Sequence, residues 1–198
     1  MSVPVAILRH ATTAWNEDGR LQGLTDTGLN AAGAAAARSW RLPAPADGWK
    51  RLSSPLIRAR RTAELLQPSA AVSVDSRLRE MSFGGWEGRT VADLRAGIGQ
   101  SFLDAEGRGL DFQPPGGESP RTVMARLGNW LDETARAGVP VVAVSHKAAI
   151  RALLALATGW DMIGRPPLKL DWSCVHFFAA EVGGRARLER ANVPMRAS

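Results

Sequence analysis

Short apolar runs alternate with longer stretches of helical periodicity along almost the whole chain. Residues 3–8, 50–53, 72–74 and 140–145 are brief, with few polar breaks in the first and last, and predict strands buried on both faces of a parallel sheet. Between them, helices are predicted over 29–40, 56–66, 119–137 and 147–158. In the second, Leu56, Ala59, Ala63 and Leu66 recur at helical spacing. The first is so rich in alanine that it is expected to pack closely against the sheet. Strands over 172–180 and 185–192 close the chain. Such alternation predicts a three-layer α/β/α sandwich with a mostly parallel central sheet. The rhythm breaks at 84–118, where Gly84, Gly85, Gly88, Gly97, Gly99, Gly107 and Gly109 surround one short helix near 90–96 and Pro114-Pro115-Gly116-Gly117 ends the stretch. This segment is expected to be a lid-like insertion in a single domain spanning 1–198, a length that suits one hydrophobic core.

Charge narrows the partners. The net charge of +6 is carried almost entirely by arginine, because Lys50, Lys147 and Lys169 are the only lysines. The arginines are scattered among acidic residues, with no basic arm, zinc-finger spacing or aromatic-rich RNA motif, so nucleic acid is not expected as a partner. A positive surface suits the recruitment of small anionic substrates equally well. The lone Cys174 has no disulfide partner and reads as a buried thiol. No stretch approaches a membrane span and no signal peptide is evident, so the cytoplasm is the expected location. The oligomeric state, monomer or homodimer, stays open.

Two of the three histidines occupy the same kind of position. Val5-Ala6-Ile7-Leu8 runs into Arg9-His10, and Val141-Val142-Ala143-Val144-Ser145 runs into His146; a third run leads through Ser53-Ser54-Pro55 to Arg58. Ligands of open α/β sheets collect at the carboxyl ends of strands. Two imidazoles and two guanidiniums would meet at that edge, a set of donors with almost no acceptors that fits a phosphoryl group. A metal site is disfavoured, because the motif histidines neighbour arginine and lysine rather than carboxylates. His176 lies inside an apolar run and reads as a structural strand residue.

Arg9-His10-Ala11-Thr12-Thr13-Ala14-Trp15-Asn16 resembles the Arg-His-Gly-x-Thr-x-x-Asn signature of the histidine phosphatase superfamily, whose fold is phosphoglycerate-mutase-like. Gln22-Gly23, Ser53-Ser54-Pro55-Leu56-x-Arg58, Leu78-Arg79-Glu80 with Phe83-Gly84-x-Trp86-Glu87-Gly88, Pro115-Gly116-Gly117-Glu118-Ser119 and Val144-Ser145-His146 follow in that family's order. The resemblance implies that His10 is the nucleophile, carrying a transient phosphohistidine. It implies further that Arg9, Arg58 and His146 cradle the phosphoryl oxygens, with Asn16 adding a donor, and Gln22, Gly23 and Lys147 are placed beside them. Because His146 opens a helix, the free amides of its neighbours are expected to help bind the anion. Glu80 is assigned proton transfer, and Glu87 a structural or substrate-side role.

Three positions depart from the family pattern: Ala11 for glycine, Thr12 for an acidic or amide residue, and Lys147 for glycine. The Ala11 methyl is expected to restrict backbone or substrate approach, and Lys147 to add a cation at the pocket rim. The expected activity is that of a metal-independent and cofactor-independent phosphomonoesterase acting on a small phosphorylated metabolite. A cofactor-dependent phosphoglycerate mutase is the alternative, and a non-catalytic phospholigand-binding protein on the same fold is the second.

Overall fold

The computed structural model describes residues 2–66 and 68–197. In chain order its regular elements are β1 (Ser2–Arg9), α1 (Ala14–Glu17), α2 (Ala31–Ser39), β2 (Trp40–Arg41), β3 (Lys50–Ser53), α3 (Ile57–Leu66) and β4 (Val72–Val74). Then follow α4 (Val91–Ile98), α5 (Gln100–Glu106), α6 (Pro120–Ala137), β5 (Val141–Ser145), α7 (Lys147–Thr158), β6 (Cys174–Glu181), β7 (Arg185–Pro194) and β8 (Arg196–Ala197). The main sheet has the order β4-β3-β5-β1-β6-β7. Its β4, β3, β5 and β1 pair in parallel, while β6 and β7 run antiparallel at the other edge. β2 and β8 form a separate antiparallel pair.

Side-chain alternation along β1 explains the sandwich. Val5 and Ile7 join the core formed with Val123, Leu127 and Trp130 of α6 and Ile150, Leu153 and Leu154 of α7. Ala6 and Leu8 face the opposite core, closed by Ala59, Ala63 and Leu66 of α3. A strand with both faces covered has to be continuously apolar, which is the pattern that marks this run in the sequence.

Helix ends follow local chemistry. The Asn30 side chain accepts from the Gly33 amide and starts α2, and Ser119 accepts from Thr122 ahead of Pro120 in α6. Gly138 and Gly159, both left-handed, end α6 and α7.

Two expectations change. α2 lies chiefly on α3 rather than on the sheet, and only Gly33 and Ala37 of it are buried. The segment 84–118 holds two α-helices, not one: Gly99, at φ +50°, ends α4 and starts α5. The second helix is held by packing. Phe102 and Ala105 bury against Trp86 and Leu94, with Leu21, Phe83, Val91 and Phe112 around them, giving this segment a small core of its own.

Candidate active site

The sheet places the two motif histidines side by side. β1 and β5 are parallel neighbours with Arg9 opposite Ser145, and the His10 amide donates to the Ser145 carbonyl at 3.0 Å. The rings that follow lie 5.1 Å apart, centroid to centroid. His10 Nδ1 lies 2.7 Å from the Ala11 carbonyl oxygen. A carbonyl can only accept, so Nδ1 carries the proton and Nε2 keeps its lone pair. Burial, reinforced by the charges of Arg9 and Arg58, pushes the His10 pKa down to about 3. The imidazole is therefore neutral and nucleophilic across the physiological range.

His146 is fully buried behind His10. Its Nε2 lies 2.7 Å from Ser54 Oγ, which also accepts from the Leu56 amide. Donation by the Ser54 hydroxyl to Nε2 satisfies both contacts and leaves the ring proton on Nδ1; the tautomer is assigned from this network. Burial first, then His10 and the surrounding arginines, hold the His146 pKa well below its usual value.

Arg58 is anchored from behind. Its Nη1 and Nη2 donate to the carbonyls of Thr25 (2.9 Å) and Gly23 (2.7 Å), and Asp26 stands 3.7 Å away. Those carbonyls belong to a loop that Glu87 grips through the amides of Leu24 and Thr25, both at 2.9 Å, the Thr25 hydroxyl at 2.6 Å and the Phe83 amide at 3.1 Å. These bonds outweigh partial burial and hold the Glu87 carboxyl below the usual carboxylate range. Gly23 sits so close that a β-carbon there would fall 2.0 Å from Glu87 Oε1.

Three buried nitrogens around His10 are left without a partner: Arg9 Nε, Arg58 Nε and His146 Nδ1. Each orphaned donor costs about 1–3 kcal/mol unless a ligand takes it up. A cavity of about 700 Å³ opens above, with Arg9, His10, Arg58 and Glu80 on its lining. Asn16 and Gln22 line it too. Their side-chain oxygens are occupied, Asn16 by the Thr13 amide and Gln22 by the hydroxyls of Thr13 and Thr27, so each amide NH2 remains as the free donor.

A scan against protein families matches residues 5–193 to the histidine phosphatase superfamily, branch 1. The chain belongs to that superfamily. Among curated relatives of this histidine phosphatase, a 2,3-bisphosphoglycerate-dependent phosphoglycerate mutase of Methylobacterium sp. (strain 4-46) is 31% identical over 86% of this chain and 88% of its own. Among solved structures, a mycobacterial glucosyl-3-phosphoglycerate phosphatase in complex with VO3 superposes with a TM-score of 0.79 at 28% identity, covering 96% of this chain and 99% of its own. A phosphoserine phosphatase of Entamoeba histolytica in complex with 3-phosphoglyceric acid gives a TM-score of 0.75 at 25% identity, with 96% of each chain covered.

Most of the residues expected for a histidine phosphatase site meet here. Arg9, His10, Asn16, Gln22, Arg58, Glu80 and Lys147 all line the one cavity. His146 is set behind His10 rather than on the wall, and Gly23 lies beneath Arg58, where its carbonyl takes one guanidinium N–H. The helix N-terminus after His146 is not free for an anion. The Ala148 and Ala149 amides donate to Glu80 at 3.2 and 3.1 Å, and the Met81 amide adds a third bond at 2.9 Å. The Ala11 methyl is not on the cavity wall either; it packs in a small cluster with Ala37 and Leu65. His176 pairs with Ile7 inside the sheet and accepts from the Asn192 amide.

The sequence reading missed the supporting residues. Ser54 orients His146, and Thr62 takes the Ala11 amide while donating to the Arg58 carbonyl. Glu118 joins Arg79 and Arg126, whose guanidinium also reaches the Glu80 carbonyl. Glu118 and Ser54 stand inside quoted motifs, which is the signal that marks them. Among the described residues, no group of three or more His, Cys, Asp or Glu side chains is placed to hold a metal ion. No helix among them is long and apolar enough to cross a membrane.

Proposed function

We propose that this chain is a phosphomonoesterase that hydrolyses a small phosphorylated metabolite through a phosphohistidine on His10, without metal or cofactor. The observation that carries this reading is a neutral, buried imidazole with Nε2 free, set among three unpartnered buried donors. A phosphoryl group entering the cavity takes N–H bonds from Arg9, Arg58 and Asn16. His10 Nε2 attacks phosphorus in line, and Glu80 protonates the departing oxygen. Water then attacks the phosphohistidine, giving its proton to Glu80 and releasing phosphate with His10 regenerated. Two guanidiniums placed in advance do the electrostatic work that a divalent cation performs elsewhere. Val91, Glu106, Gly109 and Phe112 of the segment 84–118 line this cavity, which supports a lid role for that segment.

A mutase reading is favoured by the 31% identical relative that bears that name. It uses the same phosphohistidine but returns the group to a bound intermediate. Support for hydrolysis comes from the phosphatase that superposes over 96% of this chain.

The test is phosphate release across a metabolite panel, beside conversion of 3-phosphoglycerate to 2-phosphoglycerate primed with 2,3-bisphosphoglycerate. His10→Ala should abolish phosphate release, and rapid quenching of the wild type should trap an acid-labile, base-stable phosphoenzyme. Retention of most activity by His10→Ala would exclude the covalent route. Activity should also survive exhaustive chelation; loss with EDTA, restored by one specific metal, contradicts the arginine-based cradle.

A further inference from the structure

Once a phosphoryl group has engaged Arg9 and Arg58, two further cations on the cavity lining still lack an acidic partner. Lys147 and Arg151 lie one turn apart on α7 and both line the cavity. Among the described residues, neither is hydrogen-bonded to a carboxylate. Each instead stands over an indole: Lys147 Nζ is 5.7 Å from the centre of a Trp172 ring, and the Arg151 guanidinium carbon is 5.0 Å from that of Trp160. The other charged residues lining the outer cavity are already paired, Arg20 with Asp18 and Glu106 with Arg95.

Local electrostatics disfavour this arrangement three times over. Lys147 is the first residue of α7, at the positive end of the helix dipole, where cations are unfavourable. Lys147 and Arg151 are like charges at i and i+4. Arg9 adds a third positive charge; partial desolvation first, then Arg9 and Arg151, lower the Lys147 pKa, with Glu80 offsetting them in part. Glu80 is itself engaged by three backbone amides. Folding gains little from these cations, and violations of local rules without a structural return concentrate at ligand sites.

We infer that Lys147 and Arg151 form a second anion-binding site in the cavity, so that the favoured phosphomonoester carries another negative group, a carboxylate or a second phosphate, on its leaving alcohol. This rests on the phosphomonoesterase reading of the His10 site. The phosphoryl group being transferred lies on His10, Arg9 and Arg58. The second anion is read from the α7 wall, with the indoles of Trp172 and Trp160 steadying the two cations from the side.

Two matched pairs of substrates test this. The carboxylate arm compares 3-phosphoglycerate with glycerol 3-phosphate; the phosphate arm compares 1,3-propanediol bisphosphate with propyl phosphate. Wild type should prefer the more anionic member of at least one pair by about tenfold or more in kcat/KM, the scale of one charge-assisted bond. The arm that shows the preference identifies the anion. Lys147→Met and Arg151→Met should each bring that ratio toward one, and Lys147→Arg should keep it. A wild-type ratio near one in both arms, with turnover of every member, overturns the second site while leaving the phosphomonoesterase intact. If no member is turned over, the phosphomonoesterase reading fails, and calorimetric binding of the same pairs to His10→Ala decides the inference: equal affinities within both pairs refute it. A tighter anionic member, with the preference lost in the His10→Ala/Lys147→Met double variant, supports it.

Discussion

All three histidines of the chain are buried in the folded protein, and each is held below its ordinary pKa: His10 at about 3, His176 at about 4 and His146 well below 6.5, with burial the leading cause in every case. Folding keeps them neutral, while the unfolded chain protonates them near 6.5. A folded-state pKa depressed below the unfolded one gives a contribution that is complete above about pH 6.5. It is then lost as pH falls from there toward the folded values. Between pH 7 and pH 5 the unfolded state gains roughly one proton per histidine that the folded state does not. By linkage that is about 2 kcal/mol each and about 6 kcal/mol for the three, set against a typical total of about 5–15 kcal/mol. Carboxylates titrate mostly below this window and add little to it. Urea unfolding in phosphate-free buffer at pH 7, 6 and 5 should therefore show the midpoint falling steeply while the slope with denaturant stays constant. His176→Asn, remote from the cradle, should lower overall stability yet remove about a third of the pH dependence. An unchanged midpoint between pH 7 and pH 5 would refute the buried-neutral assignment.

The two glutamates of the acid-bearing segment should separate cleanly. Glu80→Gln should cost about 10²–10⁴-fold with an alkyl phosphate, but much less in the pre-steady-state burst with p-nitrophenyl phosphate, whose leaving group departs without a proton. Equal slowing of both bursts would remove Glu80 from the acid role. Glu87→Ala deletes four accepted hydrogen bonds, three from the loop behind Arg58 and one from the Phe83 amide. After allowance for its partial exposure, a loss of about 2–3 kcal/mol in stability is expected, with KM rising more than kcat falls. A leaving-group dependence like that of Glu80→Gln would show instead that Glu87 transfers protons.

What the sequence displays depends on how local the cause is. β1 and β5 are legible because burial on both faces forces an unbroken apolar run, and their histidines are legible because they end those runs. α5 is not, because Gly99 and Gly107 flank a short segment whose helix is fixed by Phe102 packing on Trp86. The Ala148 and Ala149 amides read as available for an anion, since nothing nearby in sequence claims them. Their partner Glu80 lies 68 and 69 residues away. The same holds for Ser54, which meets His146 across 92 residues. Motifs expose the reacting groups, and the contacts that aim them are written only in three dimensions.

The position of β1 also governs when the site can come into being. This strand is hydrogen-bonded on one side to β5 and on the other to β6, two elements that lie far downstream of it in the chain. At about 5–20 residues per second, a nascent chain holds β1 without either neighbour for on the order of ten seconds. Until β5 docks, His10 has no Ser145 carbonyl to bind and no His146 beside it. Closing so long a loop is entropically slow, and an apolar strand waiting with both edges open is a natural client for a holding chaperone. Phosphate release by ribosome-bound chains of increasing length would therefore report the final docking step of folding, appearing only once β6 has left the exit tunnel.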